Sequence, residues 1–233
     1  MKASIIIRTK NEAKRIGEVL ELLVAQTEKD FEVIIVDSGS TDQTLVIVKK
    51  YDTQLDLKIF EIEPEQFSYP FACNYGAKRA LGDILIYISG HSIPIGKNWL
   101  RDGLMNFEDK KIAGVYGSVL PSKDASVVEF FGYLPGYFTQ RKNANHVKMG
   151  IMGNTNAAIR RELWEKHSFD ETYIDGGEDG EWAYYHIQKG FDVVQDPKFA
   201  VHHSHGFGLV RYIQQNLHWH KIADKFLSQY RDQ

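Results

Sequence analysis

The first 120 residues alternate short β-branched runs with segments of helical spacing. The predicted strands are residues 3–8, 31–36, 57–62, 84–88 and 113–119. The predicted helices are residues 14–26, 43–51, 71–80 and 99–107, with Ser40 or Thr41 as the cap of the second. Strands that alternate with helices predict an α/β fold, with a mainly parallel sheet and helices on both faces. Such sheets bind ligands outside the carboxyl ends of their strands.

The second half of the chain is less regular. Residues 123–145 are rich in aromatic residues and glycine and predict a loop or a short helical excursion. Further on, the pattern predicts a helix over 178–189, short strands over 193–194 and 200–202, and a final amphipathic helix over 209–230. Because the sequence holds no repeat and no Pro/Ser-rich linker, we expect one domain over residues 1–233.

Composition limits the partners and the compartment. A net charge of −3 without a basic stripe argues against a nucleic-acid partner. The sole cysteine, Cys73, excludes an intrachain disulfide and fits a reducing compartment, so we expect a cytoplasmic protein. No apolar run reaches the roughly 18 residues of a transmembrane helix, although peripheral membrane contact stays compatible with the sequence.

Three polar clusters fall where predicted parallel strands end. They are Arg8-Thr9-Lys10-Asn11-Glu12, Asp37-Ser38-Gly39-Ser40-Thr41-Asp42 and Ser89-Gly90-His91-Ser92-Ile93-Pro94. Each cluster alone fits an ordinary turn or helix cap as well as it fits a ligand site. Together at one sheet edge they favour a site where carboxylates accept from a base or ribose and a helix start receives a phosphate.

The same segments carry a resemblance to a known family. The stretches 4–12 and 33–42, then Asn74-Tyr75-Gly76-Ala77 and Gly176-Gly177-Glu178-Asp179-Gly180-Glu181-Trp182, resemble the family 2 inverting glycosyltransferases. Later landmarks at 115–121, 156–161 and 201–205 are most similar to the rhamnosyltransferase-type branch, and the match spans residues 3 to about 205. The chain has Tyr69-Pro70 and Cys73-Asn74 where that branch often has His-Gly and Arg-Asn, so the resemblance does not fix rhamnose as the donor sugar.

The resemblance implies a GT-A fold with a nucleotide-sugar-binding half, residues 1–120, and an acceptor and catalytic half, residues 121–233. It implies a donor of the UDP- or dTDP-sugar type, a glycan or lipid-linked acceptor, and a role in surface polysaccharide or glycoconjugate synthesis. The residues it assigns to the nucleotide are Thr9, Asn11, Glu12, Asp37, Ser38, Asn74, Lys78 and Arg79. Thr9 and Asp37 would lie beside the base and ribose. Lys78 and Arg79 would face the diphosphate, although a solvated helix face explains these two equally well.

His91 stands where the family carries the Asp that binds Mg²⁺ or Mn²⁺. The resemblance therefore implies either a metal ligand or a direct contact with the diphosphate at His91. Because imidazole is a poor ligand for Mg²⁺, a metal site here favours Mn²⁺. On an extended segment His203 and His205 point to one face and would complete this site, unless they form a hydrogen-bonded turn.

The segment Glu178-Asp179 supplies the catalytic candidates. Inverting transfer needs one base to take the proton of the acceptor hydroxyl, and the family uses the Asp of this motif, hence Asp179. Glu178 would orient the loop or contact the acceptor. Trp182 is a sugar-stacking or a core aromatic residue. Residues 130–138 and the final helix would shape the acceptor site.

Two other functions remain open from the sequence. The missing Asp at position 91 is compatible with a nucleotide-sugar-binding protein without turnover, but such a protein needs no base at Asp179. A sugar nucleotidyltransferase shares a related fold, yet it usually has a Gly-rich loop after its first strand. The segment 8–12 contains no glycine.

Overall fold

The computed structural model of the protein describes residues 2–138, 140, 142–143 and 152–230. The strands are β1 (Ala3–Thr9), β2 (Phe31–Asp37), β3 (Leu57–Glu61), β4 (Ile84–Ser89), β5 (Ile93–Pro94), β6 (Ile112–Leu120), β7 (Lys142–Asn143), β8 (Asn156–Arg160) and β9 (Asp192–His202). The helices are α1 (Ile16–Val24), α2 (Thr44–Lys49), α3 (Tyr69–Ala77), α4 (Trp99–Met105), α5 (Val127–Tyr133), α6 (Arg161–Lys166), α7 (Glu178–Gln188) and α8 (Leu209–Tyr230).

One sheet joins strands from both halves of the chain. Its order is β3-β2-β1-β4-β8-β6-β9-β5, and β7 pairs with β9. The N-terminal strands β3, β2, β1 and β4 are mutually parallel, as are β6 and β9. Strand β8 runs antiparallel to both β4 and β6 and joins the two parallel groups. The carboxyl ends of β1, β2 and β4 therefore lie side by side.

The β-branched strands explain why helices cover both faces. Successive side chains of a strand point to opposite faces, so a strand without polar positions needs cover on each side. Ile5 and Ile7 of β1 pack into a core with α1, α2 and α4, whereas Ile6 packs with α3, α6 and α7. Helix α1 presents Ile16, Val19, Leu20 and Leu23 at helical spacing to the first of these cores.

The predicted α/β fold with helices on both faces is confirmed, and two local predictions are corrected. Neither Ser40 nor Thr41 caps α2: the helix begins at Thr44, whose backbone N–H donates to Asp42 Oδ1 over 2.9 Å. Strand β9 is continuous rather than two short strands, and β8 with α6 was not predicted. Of the segment 123–145, residues 127–133 form α5, while residues 139, 141 and 144–145 lie outside the described residues.

Helix α8 lies over the carboxyl edge of the sheet. Gly176 and Gly177 have φ of 106° and 101°, and a Cβ on them would meet Trp219 and Ile222 of α8 at 2.6 and 2.3 Å. Glycine therefore serves both the backbone conformation and the close approach of the helix.

Among the described residues, none of the helices combines the length and apolar character needed to cross a bilayer.

Candidate active site

A cavity of about 590 Å³ opens at the carboxyl ends of β1, β2 and β4. Its walls come from the two halves of the chain. The first half contributes Arg8, Thr9, Lys10, Glu12, Ser38, Phe67, Tyr69, Ser89 and His91. The second half contributes residues 152–155 and 176–180, His203 and His205, and Asn216, Trp219, His220 and Ile222 of α8. The final helix thus borders the cavity, whereas residues 130–138 do not line it, and the role of both segments in an acceptor site stays a prediction.

On the β1–β2 side, two residues assigned to the nucleotide present atoms to the cavity. Thr9 is buried, and its hydroxyl has no hydrogen-bond partner within the described part of the chain. Ser38 lines the same wall and donates its backbone N–H to the Thr9 carbonyl over 3.0 Å. A buried hydroxyl without a partner is costly, so the Thr9 side chain is well suited to bind a ligand.

Asp37 and Asn11 shape the adjoining loop instead. The Asp37 carboxylate is fully buried and accepts from the N–H groups of Gly39 and Ser40 and from the Ser40 hydroxyl, over 3.1, 2.8 and 2.5 Å. Asn11, with φ of 56°, accepts from the Thr41 N–H over 2.8 Å through its side-chain oxygen. These bonds fix the loop beside Thr9 and Ser38, which places Asp37 behind the cavity wall.

Three residues assigned to the nucleotide lie away from the cavity. The side chain of Asn74 is buried and donates to the Phe169 carbonyl and to Glu171, while its oxygen accepts from the Trp164 indole. Lys78 is exposed directly after α3. The Arg79 guanidinium stacks 3.4 Å from the Tyr75 ring centroid. Asn74 and Arg79 thus make structural contacts, and Asn74, Lys78 and Arg79 are all outside the cavity lining, which argues against their assignment to the nucleotide.

Three histidines meet at the other side of the β1 edge. His91 stacks on His203 with ring centroids 4.5 Å apart, and His203 Nε2 lies 3.2 Å from His205 Nε2. One candidate ligand nitrogen from each ring lies within 4.8 Å of the others. The antiparallel pairing of Ile93 with His202 brings the β4–β5 turn and the end of β9 together, so segments 112 residues apart share one cluster.

Two histidines of the cluster, His203 and His205, are held neutral by their surroundings. Burial lowers the pKa of His205 to about 4 and holds that of His203 well below its usual value. His91 Nδ1 lies 2.6 Å from Glu12 Oε1, which leaves His91 Nε2 buried and without a partner among the described residues. Glu12, assigned to the nucleotide, therefore orients His91. Gly90 allows this contact, because a Cβ there would approach the Glu12 side chain to 2.9 Å.

The carboxylate pair begins α7, directly after Gly176-Gly177. Asp179 accepts from the Asn154 backbone N–H over 2.8 Å and from the Gly180 N–H over 2.7 Å. Glu178 Oε1 accepts from the Asn154 side-chain amide over 3.1 Å, and Glu178 Oε2 is buried without a partner in the part of the chain described. Because N–H donors and a helix N-terminus favour a carboxylate, the charge of the pair belongs on Asp179 and the proton on Glu178.

The electrostatics of the pair agree with this division. Burial raises the pKa of Glu178 to about 8, and the neighbouring charge of Asp179 adds to the rise. Burial also raises the pKa of Asp179, but hydrogen bonds from Asn154 and Gly180 and the charge of Arg8 oppose it. At neutral pH the pair therefore holds one proton.

We expect Glu178→Gln to stabilise the protein at alkaline pH. The Glu178 carboxyl releases its proton near pH 4.5 in the unfolded protein but near pH 8 in the folded protein. The free energy of unfolding therefore falls as pH rises through this window. The variant lacks that loss and gains roughly 1–3 kcal/mol at pH 8 but nothing near pH 4. Urea unfolding at both pH values measures the difference, with exposed Glu108→Gln as the control. An equal effect at both pH values would contradict a protonated Glu178.

Sequence analysis missed two residues of the site, Arg8 and Asn154. Arg8 stood in the first polar cluster and could have been found, because a cation at the end of an apolar strand faces the same edge as Thr9. Asn154 precedes β8, which was not predicted, and nothing in the sequence marked it. Trp182 is fully buried and its indole donates to the His167 carbonyl, so it is a core residue.

The mixed, mainly parallel sheet, with helices on both faces and a cavity at the carboxyl ends of β1, β2 and β4, is the architecture expected of a GT-A fold. The sequence model described as "Glycosyl transferase family 2" matches residues 4–168, more than half of the chain. The chain belongs to this family, and the family and enzyme class predicted from the sequence are confirmed.

Similar proteins agree with the family. The chain is 28% identical over 215 residues to the O-antigen chain rhamnosyltransferase RfbN of Salmonella typhimurium, covering 89% of this chain and 68% of that protein. It is 30% identical over 190 residues to the O-antigen chain rhamnosyltransferase WbaN of Salmonella anatum, covering 78% of this chain and 59% of that protein. The chain thus spans about two thirds or less of these relatives.

Solved structures confirm the fold. The mannosyltransferase PcManGT of Pyrobaculum calidifontis, in complex with GDP-Man and Mn²⁺, superposes with a TM-score of 0.67 at 24% identity, over 87% of this chain and 56% of that one. S. aureus TarS 1–349 in complex with UDP-GlcNAc gives a TM-score of 0.64 at 21% identity, over 89% and 60%.

Proposed function

We propose that this protein transfers a sugar, with inversion, from a nucleoside diphosphate sugar to an acceptor hydroxyl. One observation carries the proposal: the Asp179 carboxylate and the three-histidine cluster line a single cavity at the sheet edge. The donor is of the UDP or dTDP type and the acceptor a glycan or lipid-linked glycan of surface polysaccharide synthesis. The rhamnosyltransferase relatives support this role. A cytoplasmic location, consistent with the free buried Cys73, is part of the proposal.

The chain divides the reaction between its two halves. Thr9 and Ser38 bind the nucleoside, while the histidine cluster faces the diphosphate. Asp179 takes the proton as the acceptor oxygen forms its bond to the anomeric carbon. On the opposite side of that carbon, the bond to the diphosphate oxygen breaks, and the nucleoside diphosphate leaves with the electron pair. Glu178 holds its own proton, and its Oε2, which has no partner among the described residues, is free to donate a hydrogen bond to a bound substrate.

The residues fit a divalent cation. His91 Nε2 is buried without a partner in residues 2–138 and 152–230, and its ring is oriented from behind by Glu12, the arrangement of ligating histidines. His203 and His205 would complete the set. Three imidazoles favour Mn²⁺ or another transition metal over Mg²⁺. A cation held there would neutralise charge on the leaving diphosphate.

Nucleotide sugars should raise the thermal unfolding midpoint, and Mn²⁺ should increase this shift. At a ligand concentration 100 times the Kd, the expected stabilisation is about 2.7 kcal/mol. A screen of nucleotide sugars with and without Mn²⁺ measures this, followed by an assay for released nucleoside diphosphate. Lys78→Ala, at an exposed position directly after α3, is the control and should respond as the unaltered protein does.

The outcomes of this screen distinguish between the candidate functions. Stabilisation by a nucleotide sugar together with release of nucleoside diphosphate supports sugar transfer. Stabilisation without release, for any acceptor class, supports a binding protein, and the absence of stabilisation contradicts the proposal. A sugar nucleotidyltransferase would instead consume a nucleoside triphosphate and a sugar phosphate, an activity that the family match argues against.

A further inference from the structure

Arg8 is a fixed cation in the cavity wall. It is the second-last residue of β1, and its Nη2 donates to the Asn154 carbonyl over 2.9 Å. Its Nε is buried without a partner in the described residues, and its Cζ lies 5.4 Å from the Tyr69 ring centroid. Lys10, the other cation of this wall, is exposed. The guanidinium is thus held in one place beside the carboxylate pair.

Asn154 connects this cation to both carboxylates. Its carbonyl accepts from Arg8, its backbone N–H donates to Asp179 Oδ2, and its side-chain amide donates to Glu178 Oε1. Three groups of one residue therefore have three partners in the site. Because Asn154 lies just before β8, it also fixes the N-terminus of α7 against β1.

We propose that Arg8 and Asn154 are positioning residues that set the ionisation of the carboxylate pair: Arg8 and the Asn154 backbone N–H keep the charge on Asp179, and the Asn154 side-chain amide orients Glu178 and limits how firmly it holds its proton. This inference rests on the proposed role of Asp179 as the base. The two residues act through the carboxylates, since a base must be ionised and correctly oriented when the acceptor hydroxyl arrives.

The charged and titratable groups around the guanidinium set the sign of the effect. Tyr69 and Cys73 face it from α3, and Glu178 and Asp179 from α7. The Cys73 thiol is neutral at pH 7, since burial raises its pKa to about 12. Removing the cation therefore leaves a buried carboxylate pair with less positive charge nearby, so Asp179 binds a proton up to a higher pH.

Arg8→Gln should move the acid limb of the pH profile of kcat/KM upward. An opposite charge at this range shifts a carboxyl by about 1–3 pH units, so we expect a shift of at least one unit. On the acid limb, kcat/KM of the variant is then about tenfold or more below that of the unaltered protein, and it recovers at alkaline pH. Arg8→Lys should restore most of the profile. Arg160→Gln is the matched control, because its guanidinium binds the carbonyls of Ile112 and Phe107, away from the cavity.

An infrared titration of the donor-free protein gives a second readout. The bands of Asp179 and Glu178 are identified by their loss in Asp179→Asn and Glu178→Gln. We expect Glu178 to be protonated at neutral pH, and Asp179 to titrate at higher pH in Arg8→Gln than in the unaltered protein. Because no substrate is needed, this result stands even if the protein proves to have another reaction, which keeps failure of the inference distinct from failure of the proposed function.

Two results would overturn the inference. One is an Asp179 titration that does not change in Arg8→Gln, and the other is a rate loss that is equal at every pH. Should Arg8→Gln fail to fold, Asn154→Ala provides a second test. This substitution removes the side-chain amide that donates a hydrogen bond to Glu178 Oε1 and keeps the backbone N–H that donates to Asp179. Glu178 should therefore hold its proton to a higher pH. An unchanged Glu178 titration would contradict the role of Asn154.

Discussion

Asp179→Asn should lower kcat by about 10²- to 10⁴-fold, the usual contribution of a general base. The substitution keeps the shape of the side chain and removes its ability to take a proton from the acceptor. Its oxygen can still accept the Asn154 N–H, so the loop before β8 and the N-terminus of α7 should keep their contact. We therefore expect donor affinity to change little.

Single-turnover rates and calorimetric donor binding, measured together, test this prediction. Asp52→Asn, an exposed carboxylate beyond α2, is the control and should match the unaltered protein in both measurements. Near-normal turnover in Asp179→Asn would move the base to another residue. Equal losses of donor binding and turnover would instead mean that Asp179 mainly holds the cavity wall in place.

The parallel strands in the first half of the chain were predictable because one simple sequence pattern, an uninterrupted apolar run, specifies them. Residues 5–7 are three consecutive isoleucines, and residues 84–88 are apolar apart from the Tyr87 hydroxyl, a pattern that only a strand covered on both sides tolerates. Strand β8 was not predicted, because its first residues, Asn156-Ala157-Ala158, have weak strand propensity. It is specified by its position between β4 and β6, which is information from tertiary structure.

The site was predictable where sequence position fixes spatial position. Strand-end residues such as Thr9, Ser38 and His91 must meet at one edge, and they do. Asn74 lies on α3 and Arg79 in the turn that follows it. The face of the helix decides the partner there, and the weak amphipathic pattern of α3 did not define that face. Their assignment to the nucleotide came from the motif around them. In the structure, Asn74 instead accepts a hydrogen bond from the Trp164 indole, and Arg79 stacks on the Tyr75 ring.

His91→Ala should lower the affinity for Mn²⁺ by about 100-fold or more. Loss of an outer-shell partner alone costs about 10–100-fold, and His91 would be a direct ligand, since its Nε2 is the buried atom without a partner in the described residues. Calorimetry with the metal alone measures this without a donor. His218→Ala, on the exposed surface of α8, should leave the affinity unchanged. An unchanged affinity in His91→Ala would place any metal elsewhere.

His91→Asp tests the ligand chemistry more sharply, because a carboxylate is the harder ligand that Mg²⁺ prefers. It would also face the Glu12 carboxylate across the former 2.6 Å contact, so the substitution is best made together with Glu12→Gln. The double variant should bind Mg²⁺ more tightly, relative to Mn²⁺, than Glu12→Gln alone. If the ratio of the two affinities is the same in both proteins, residue 91 is outside the coordination shell and acts on the diphosphate directly. If the Mg²⁺ affinity relative to the Mn²⁺ affinity is higher in the double variant than in Glu12→Gln alone, the histidine cluster sets the metal preference of the enzyme.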